Sequence, residues 1–321
     1  MRGNVFMLQK KIDVILASYN GEKYIKEQIH SILICLDKVK NYECRLLIAD
    51  DGSSDKTIHI VKGINDDRLR IIDSSRVGGV LPNFERLIKY SDADYVFFSD
   101  QDDVWLEDKI SIFVDKFLAL EIEYKKIPIL LYSDVILVDS KLDKIYDSMM
   151  DSQKIIKEPT FCELLVSNSV TGCAMAVNRE LLNKMDRLKN DNIIMHDWYL
   201  ALIAKSIGRL CFIPGNHVLY RQHGYNQVGS KTYRISDKIS PRALLSFVKR
   251  SRGDILRTIK QASYLKEQFG KELLSHDEKN LTCYIDAEKT FYKRLKNIAS
   301  GRFNKMGMAR NIIFIFIYLT L

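Results

Sequence analysis

The chain has 321 residues, 46% hydrophobic and 28% charged, with only 5 prolines and 15 glycines. This excludes a disordered or fibrous protein, and the length allows one large α/β domain with an appendage or two modest domains. The net charge of +8 arises C-terminally, since residues 231–321 hold 19 Lys and Arg against 8 Asp and Glu, whereas residues 1–230 hold 30 against 33.

The β-branched run 12–17 stops at the turn cluster Ser18-Tyr19-Asn20-Gly21 and is followed by Tyr24, Ile25, Gln28, Ile29, Ile32 and Leu33 at helical spacing. The same strand, loop and helix pattern recurs from Arg45, with the turn 50–54 and a helix capped by Asp55, and again from Leu69, with a Gly78-Gly79 loop and a helix through Phe84 and Leu87. A fourth strand, 95–99, ends in Asp100-Gln101-Asp102-Asp103. This alternation predicts a mostly parallel sheet covered by helices, with ligands bound beyond the carboxyl ends of its strands. Residues 129–138 and 170–177 read as further strands, 198–207 as a helix, and 211–213 and 218–221 as short strands. Helical patterning takes over from Pro241. The boundary falls near 230–240, giving regions 1–235 and 236–321.

The six cysteines form no C-x-x-C pair, so zinc and disulfide frameworks are excluded and the thiols read as reduced and cytosolic. Neither a dinucleotide-binding nor a P-loop glycine pattern is present. The chain opens without a signal-peptide pattern. The apolar run 312–321 has about half the length of a spanning helix, so it can touch a bilayer but not cross it. The basic C-terminal region favours an anionic partner, and without an aromatic-interleaved motif nucleic acid is not expected.

Asp100 and Asp102, released from a strand one residue apart, can present oxygens to a divalent cation that holds a diphosphate; a solvated acidic turn is the alternative. Asp103 and Trp105 are assigned to the turn and its packing. Asp197 suits the N-cap of the helix that follows it, and Asp51 a helix cap, although Asp55 caps better.

In the blocks 17–21, 49–55, 99–105, 196–198 and 220–229 the chain resembles an inverting glycosyltransferase of family 2, of the GT-A fold, and more narrowly its bacterial rhamnosyltransferase-type members. The resemblance implies a Rossmann-like, mostly parallel sheet flanked by helices, while residues 231–321 form a helical extension outside it. It implies that Ala17, Tyr19 and Asp51 contact the nucleoside base, with Asn83, Gln101 and Arg221 also on the nucleotide-sugar side. Asp100 is placed near ribose and metal, Asp102 and His223 as ligands of Mn2+ or Mg2+, and Asp197 as the catalytic base, with His196 standing where a glutamate is common. Gly172 and Trp198 fall on the acceptor side, and Asn226 and Gln227 face donor or acceptor sugar. The expected reaction moves rhamnose from dTDP-rhamnose to a lipid-linked or oligosaccharide acceptor in surface-polysaccharide synthesis, at the inner face of the plasma membrane. A UDP-hexose or UDP-N-acetylhexosamine donor is the alternative, and a nucleotidyltransferase a more distant one. A homo-oligomer through the C-terminal region is a further expectation.

Overall fold

The structure is a computed structural model and describes residues 9–185, 191–223 and 241–321. In chain order its elements are β1 (Lys11–Ser18), α1 (Ile25–Asp37), β2 (Glu43–Asp50), α2 (Thr57–Lys62), β3 (Leu69–Asp73), α3 (Val80–Tyr90), β4 (Tyr95–Ser99), β5 (Val104–Trp105), α4 (Lys109–Glu123), β6 (Ile129–Val138) and β7 (Lys144–Tyr146). They continue with α5 (Met149–Gln153), α6 (Phe161–Val166), a 3₁₀ turn Gly172–Ala174, β8 (Met175–Asn178), α7 (Arg179–Asn183), α8 (His196–Ile207), β9 (Arg209–Arg221), α9 (Pro241–Phe269), α10 (Ser275–Asp286), α11 (Phe291–Ala299) and α12 (Met308–Leu319).

The strands lie in the order β3-β2-β1-β4-β8-β6-β9-β5, with β7 paired to β6. The first four are mutually parallel, as the repeated strand–loop–helix pattern predicts. Ile12, Val14, Ile15 and Leu16 of β1 are all fully buried, which follows from a central strand covered on both faces. Beyond β4 the sheet becomes mixed: β8 runs antiparallel to β4 and β6, β9 parallel to β6, and β5 antiparallel to β9.

Three local expectations change. The strand read over 170–177 begins only at Met175, because Gly172–Ala174 turns as 3₁₀ helix. The two short strands at 211–213 and 218–221 are one strand, β9, with register shifts against β6 between Ser133 and Ile136 that break its apolar pattern. The helix read from Trp198 starts at His196, which puts Asp197 inside its first turn instead of at the N-cap.

The C-terminal helices do not form a separate core. Ile255, Ile259, Leu265, Tyr284, Phe303 and Phe314 belong to the same buried cluster as Ile15, Phe98 and Leu200, joined through α6 and α8. The boundary expected at 235/236 lies outside the described residues, as do Asn226 and Gln227.

Candidate active site

The register aligns the ends of the parallel strands. Ala17 pairs with Ala49, Ser18 with Asp50, and Leu16 with Ser99, so the loops after β1, β2 and β4 leave the sheet at one level. The N-terminus of α8 and the end of β9 reach the same edge.

The loop after β1 is held by side chains of its neighbours. Gln101 accepts from the Tyr19 N–H at 2.8 Å and donates to the Tyr19 carbonyl at 2.9 Å. A Cβ at position 21 would lie 2.4 Å from the Gln101 Oε1, so this bracket requires glycine there. Gln101 therefore ties two loops together and positions Tyr19. The Tyr19 ring is 46% exposed, open for a base to stack. Ala17 sits half-buried at the end of β1.

Asp51 is buried, and its carboxylate accepts from the N–H groups of Val77, Gly78 and Gly79 at 2.5–2.8 Å. Burial works against its charge, but these three donors outweigh it and hold the carboxyl below its ordinary range. The side chain folds the 77–79 loop against β2, which the expectation of a base contact did not foresee. Asp55 bonds the Thr57 N–H at 2.9 Å, close to the capping role assigned to it. Asn83 is likewise consumed, donating to the Ala49 carbonyl at 2.9 Å and accepting from Arg86 at 2.8 Å. With its amide bonded on both sides and 2% exposed, it positions strand ends.

The carboxylates after β4 divide into two sets. Asp102 faces outward with His223, whose Nε2 lies 2.8 Å from the Asp102 Oδ2, and the imidazole stacks on Tyr24 with ring centroids 5.1 Å apart. Asp103 turns inward, 1% exposed, and accepts from the Arg221 N–H at 3.0 Å. Ligand atoms of Asp100, Asp103 and Cys173 lie within 4.8 Å of one another. Burial, then the neighbouring carboxylates, raise Asp100 well above the ordinary range, and burial followed by Asp102 pushes Asp103 up to about 7. Beneath them Lys109 is fully buried, with its Nζ 2.6 Å from the Cys173 carbonyl and 3.3 Å from the centre of the Trp105 ring. Burial pulls this ammonium down to about 7, against the pull of Asp103 and Asp100.

These two sets are not equal as cation sites. The Cys173 thiol is driven well above its ordinary range by burial and so stays protonated, which suits a hard cation poorly. Asp102 and His223, adjacent and partly open, form the better donor pair, with Asp100 beside them.

Arg221 is 2% exposed. Its guanidinium donates to the carbonyls of Asp102 at 2.8 Å and Ser140 at 2.9 Å, pairs with Glu27 at 2.6 Å, and lies 4.4 Å from the Tyr24 ring centre. These bonds clamp the Asp102 backbone in place.

Asp197 is 9% exposed. Burial raises its carboxyl to about 6, against hydrogen bonds from the N–H of Trp198, at 2.6 Å, the Asn168 amide and the N–H of Gly172. Its charge is felt at Asp100, so the two carboxyls share one site. His196 packs inward against Phe84, at 4.2 Å between centroids, and Phe98, at 5.4 Å. Neither of its ring nitrogens has a partner among the described residues, and burial lowers it to about 3, so the ring is neutral and acts as an aromatic wall behind Asp197. At Gly172, expected on the acceptor side, a Cβ would lie 2.9 Å from the His196 Nε2, so the glycine makes room for this imidazole. Trp198, expected on the acceptor side, is part-buried, and its indole N–H donates to the Leu164 carbonyl of α6 at 2.6 Å.

Tyr24, Glu27, Lys109 and Asn168 were missed as parts of this edge, whereas Thr171 and Cys173 were read beside Gly172 on the acceptor side. No local spacing distinguishes the missed residues from core or surface positions.

Residues 13–185 match the family model described as Glycosyl transferase family 2. The dTDP-rhamnosyl transferase RfbG of Shigella flexneri is 30% identical over 233 residues, 67% of this chain and 74% of that protein. The Escherichia coli UDP-Glc:alpha-D-GlcNAc-diphosphoundecaprenol beta-1,3-glucosyltransferase WfgD is 26% identical over 172 residues, 54% of this chain and 62% of that protein. In fold the chain is similar to S. aureus TarS 1–349, crystallised in complex with UDP, with a TM-score of 0.52 at 18% identity, covering 97% of this chain and 89% of that one.

Proposed function

Because the chain belongs to glycosyl transferase family 2 and has the GT-A fold, we propose that this glycosyltransferase works with inversion, moving rhamnose from dTDP-rhamnose to a lipid-linked or oligosaccharide acceptor. The observation that carries this reading is the meeting of Asp197, a buried carboxyl held at about 6, with Asp100 and the Asp102–His223 pair at the carboxyl ends of the parallel strands.

The geometry supports the following division of labour. Tyr19 offers its exposed ring to the nucleoside base. Asp102 and His223 would hold Mn2+ or Mg2+, with Asp100 beside them; when bound, the cation neutralises charge on the departing diphosphate. Asp197 takes the proton of the acceptor hydroxyl as that oxygen attacks the anomeric carbon from the face opposite the diphosphate. A carboxyl at about 6 is ionised at neutral pH and still basic enough to share a proton in the transition state.

The donor assignment draws on the rhamnosyltransferase relative. A UDP-hexose or UDP-N-acetylhexosamine remains the second reading, favoured by the UDP-linked enzymes among the similar proteins. A lipid-linked acceptor would place the enzyme peripherally at the inner face of the plasma membrane, in surface-polysaccharide synthesis such as that of a capsule. The test is a panel of nucleotide sugars with Mn2+, scored by diphosphate release. Release from dTDP-rhamnose above all others is expected, and release from a UDP-sugar alone refutes the donor assignment.

A further inference from the structure

α11 is amphipathic in the reverse sense. Its buried residues are Arg294 and Asn297, whose side chains are satisfied inside: Arg294 donates to the carbonyls of Ala287 at 3.1 Å and Leu319 at 3.3 Å, and Asn297 to the Cys283 carbonyl at 2.8 Å and the Tyr318 hydroxyl at 2.9 Å. Its outward residues include Phe291, Tyr292 and Leu295, exposed by 57%, 73% and 46%, together with Lys296 and Ala299. α12, tied to α11 by the contacts to Tyr318 and Leu319, buries Phe314, Ile317 and Tyr318, yet it also turns Ile312, Ile313 and Phe316 outward. A solvated helix gains nothing by this arrangement, because aromatic side chains held in water lose the burial that would stabilise them.

Charge narrows the choice of what covers these faces. Residues 291–321 contain six Lys and Arg and no Asp or Glu; Arg294 is buried and Lys293 is paired with Asp286, while Lys296, Arg302 and Arg310 are exposed. A second copy docked isologously through the same faces would set like charge against like charge, whereas an anionic bilayer surface complements both the charge and the apolar side chains. At 12 residues α12 rises about 18 Å, short of the roughly 30 Å hydrocarbon layer, and no helix among the described residues is long and apolar enough to cross a membrane.

We propose that the outward faces of α11 and α12 are a docking surface for anionic phospholipid, with Phe291, Tyr292 and Phe316 entering the headgroup–acyl boundary and Lys and Arg side chains meeting the phosphates. This rests on, and deepens, the reading of a transferase that meets a lipid-linked acceptor.

The test is flotation of the full-length chain with phosphatidylcholine–phosphatidylglycerol vesicles and with pure phosphatidylcholine vesicles, across a salt series. Wild type is expected to float with the anionic vesicles only and to be released by salt. Phe291→Ser/Tyr292→Ser/Phe316→Ser should reduce the vesicle-bound fraction at least tenfold while the circular dichroism spectrum and melting midpoint stay unchanged. Should the triple variant misfold, Tyr292→Ser alone, at the most exposed of the three positions, reads the same loss in smaller amount. Wild type that stays down with anionic vesicles, or variants that float as well as wild type, overturn the proposal. So does a dimer in light scattering that the triple variant dissociates without any vesicle binding, which would assign the faces to a second copy. Nucleotide binding by calorimetry is measured alongside: a chain that floats as expected but binds no nucleotide supports the docking surface and refutes only the transferase assignment.

Discussion

Replacing Asp197 by Asn separates the stability of this protein from its activity. Burial raises the Asp197 carboxyl from 3.8 to about 6, a native-state penalty on the ionised form of roughly two pH units, or about 3 kcal/mol. The sign follows from proton binding. Between about 4 and 6 the native state holds the proton and the unfolded chain has released it, so stability falls as pH rises through that window and stays low above it. Asn carries no charge and removes the penalty. It keeps one acceptor oxygen for three donors, from Trp198, Asn168 and Gly172, and leaving one or two of them short costs about 1–2 kcal/mol. Asp197→Asn should therefore be more stable than wild type by about 1–2 kcal/mol at about pH 7.5, with that advantage gone or reversed at about pH 4, where the wild-type carboxyl is protonated. Transfer should meanwhile fall about 10²–10⁴-fold with little change in donor affinity, because the base acts in the transition state. Urea unfolding at both pH values, with single-turnover transfer, measures each arm. A variant less stable than wild type at the higher pH refutes the desolvation argument, and a transfer rate within about tenfold of wild type refutes the base assignment.

In wild type, kcat/KM should climb about tenfold per pH unit below about 6 and level above it; a flat profile from about pH 5 to 8 contradicts the titration of Asp197. Asp102→Asn and His223→Ala should each weaken Mn2+-dependent nucleotide binding at least about tenfold in calorimetry without unfolding the chain, and unaltered affinity in both would remove the cation from this pair. Arg221→Lys leaves carbonyls of Asp102 and Ser140 or the Glu27 carboxylate without their donor, so a loss of about 2–3 kcal/mol in urea unfolding is expected, with donor binding weakened. Gly172→Ala meets His196 at 2.9 Å and should cost about 1–3 kcal/mol, partly recovered in the Gly172→Ala/His196→Ala double variant; strictly additive losses would show that the two positions do not touch.

The sequence by itself determined the strand–loop–helix order and the edge at which a site forms. Parallel strands buried on both faces leave a period and composition that few other arrangements tolerate, and polar turns at their ends can only face outward. It also marked Asp100 and Asp102, because carboxylates released from an apolar strand stand out against their background, while Asp197 and His223 were marked only by the resemblance of their blocks to family 2. Tertiary structure alone decided which polar side chains are left over for a ligand. Gln101, Asn83, Arg221 and Asp51 look available in the sequence, yet each is consumed by backbone groups brought near from 26 to 119 residues away. Gly172 and His196 have meaning only as a pair, and the reversed faces of α11 follow from where Ala287, Cys283 and Tyr318 present their polar atoms. A buried donor or acceptor must be matched, and its partner is chosen by proximity in space, a quantity that residue type and spacing along the chain do not encode.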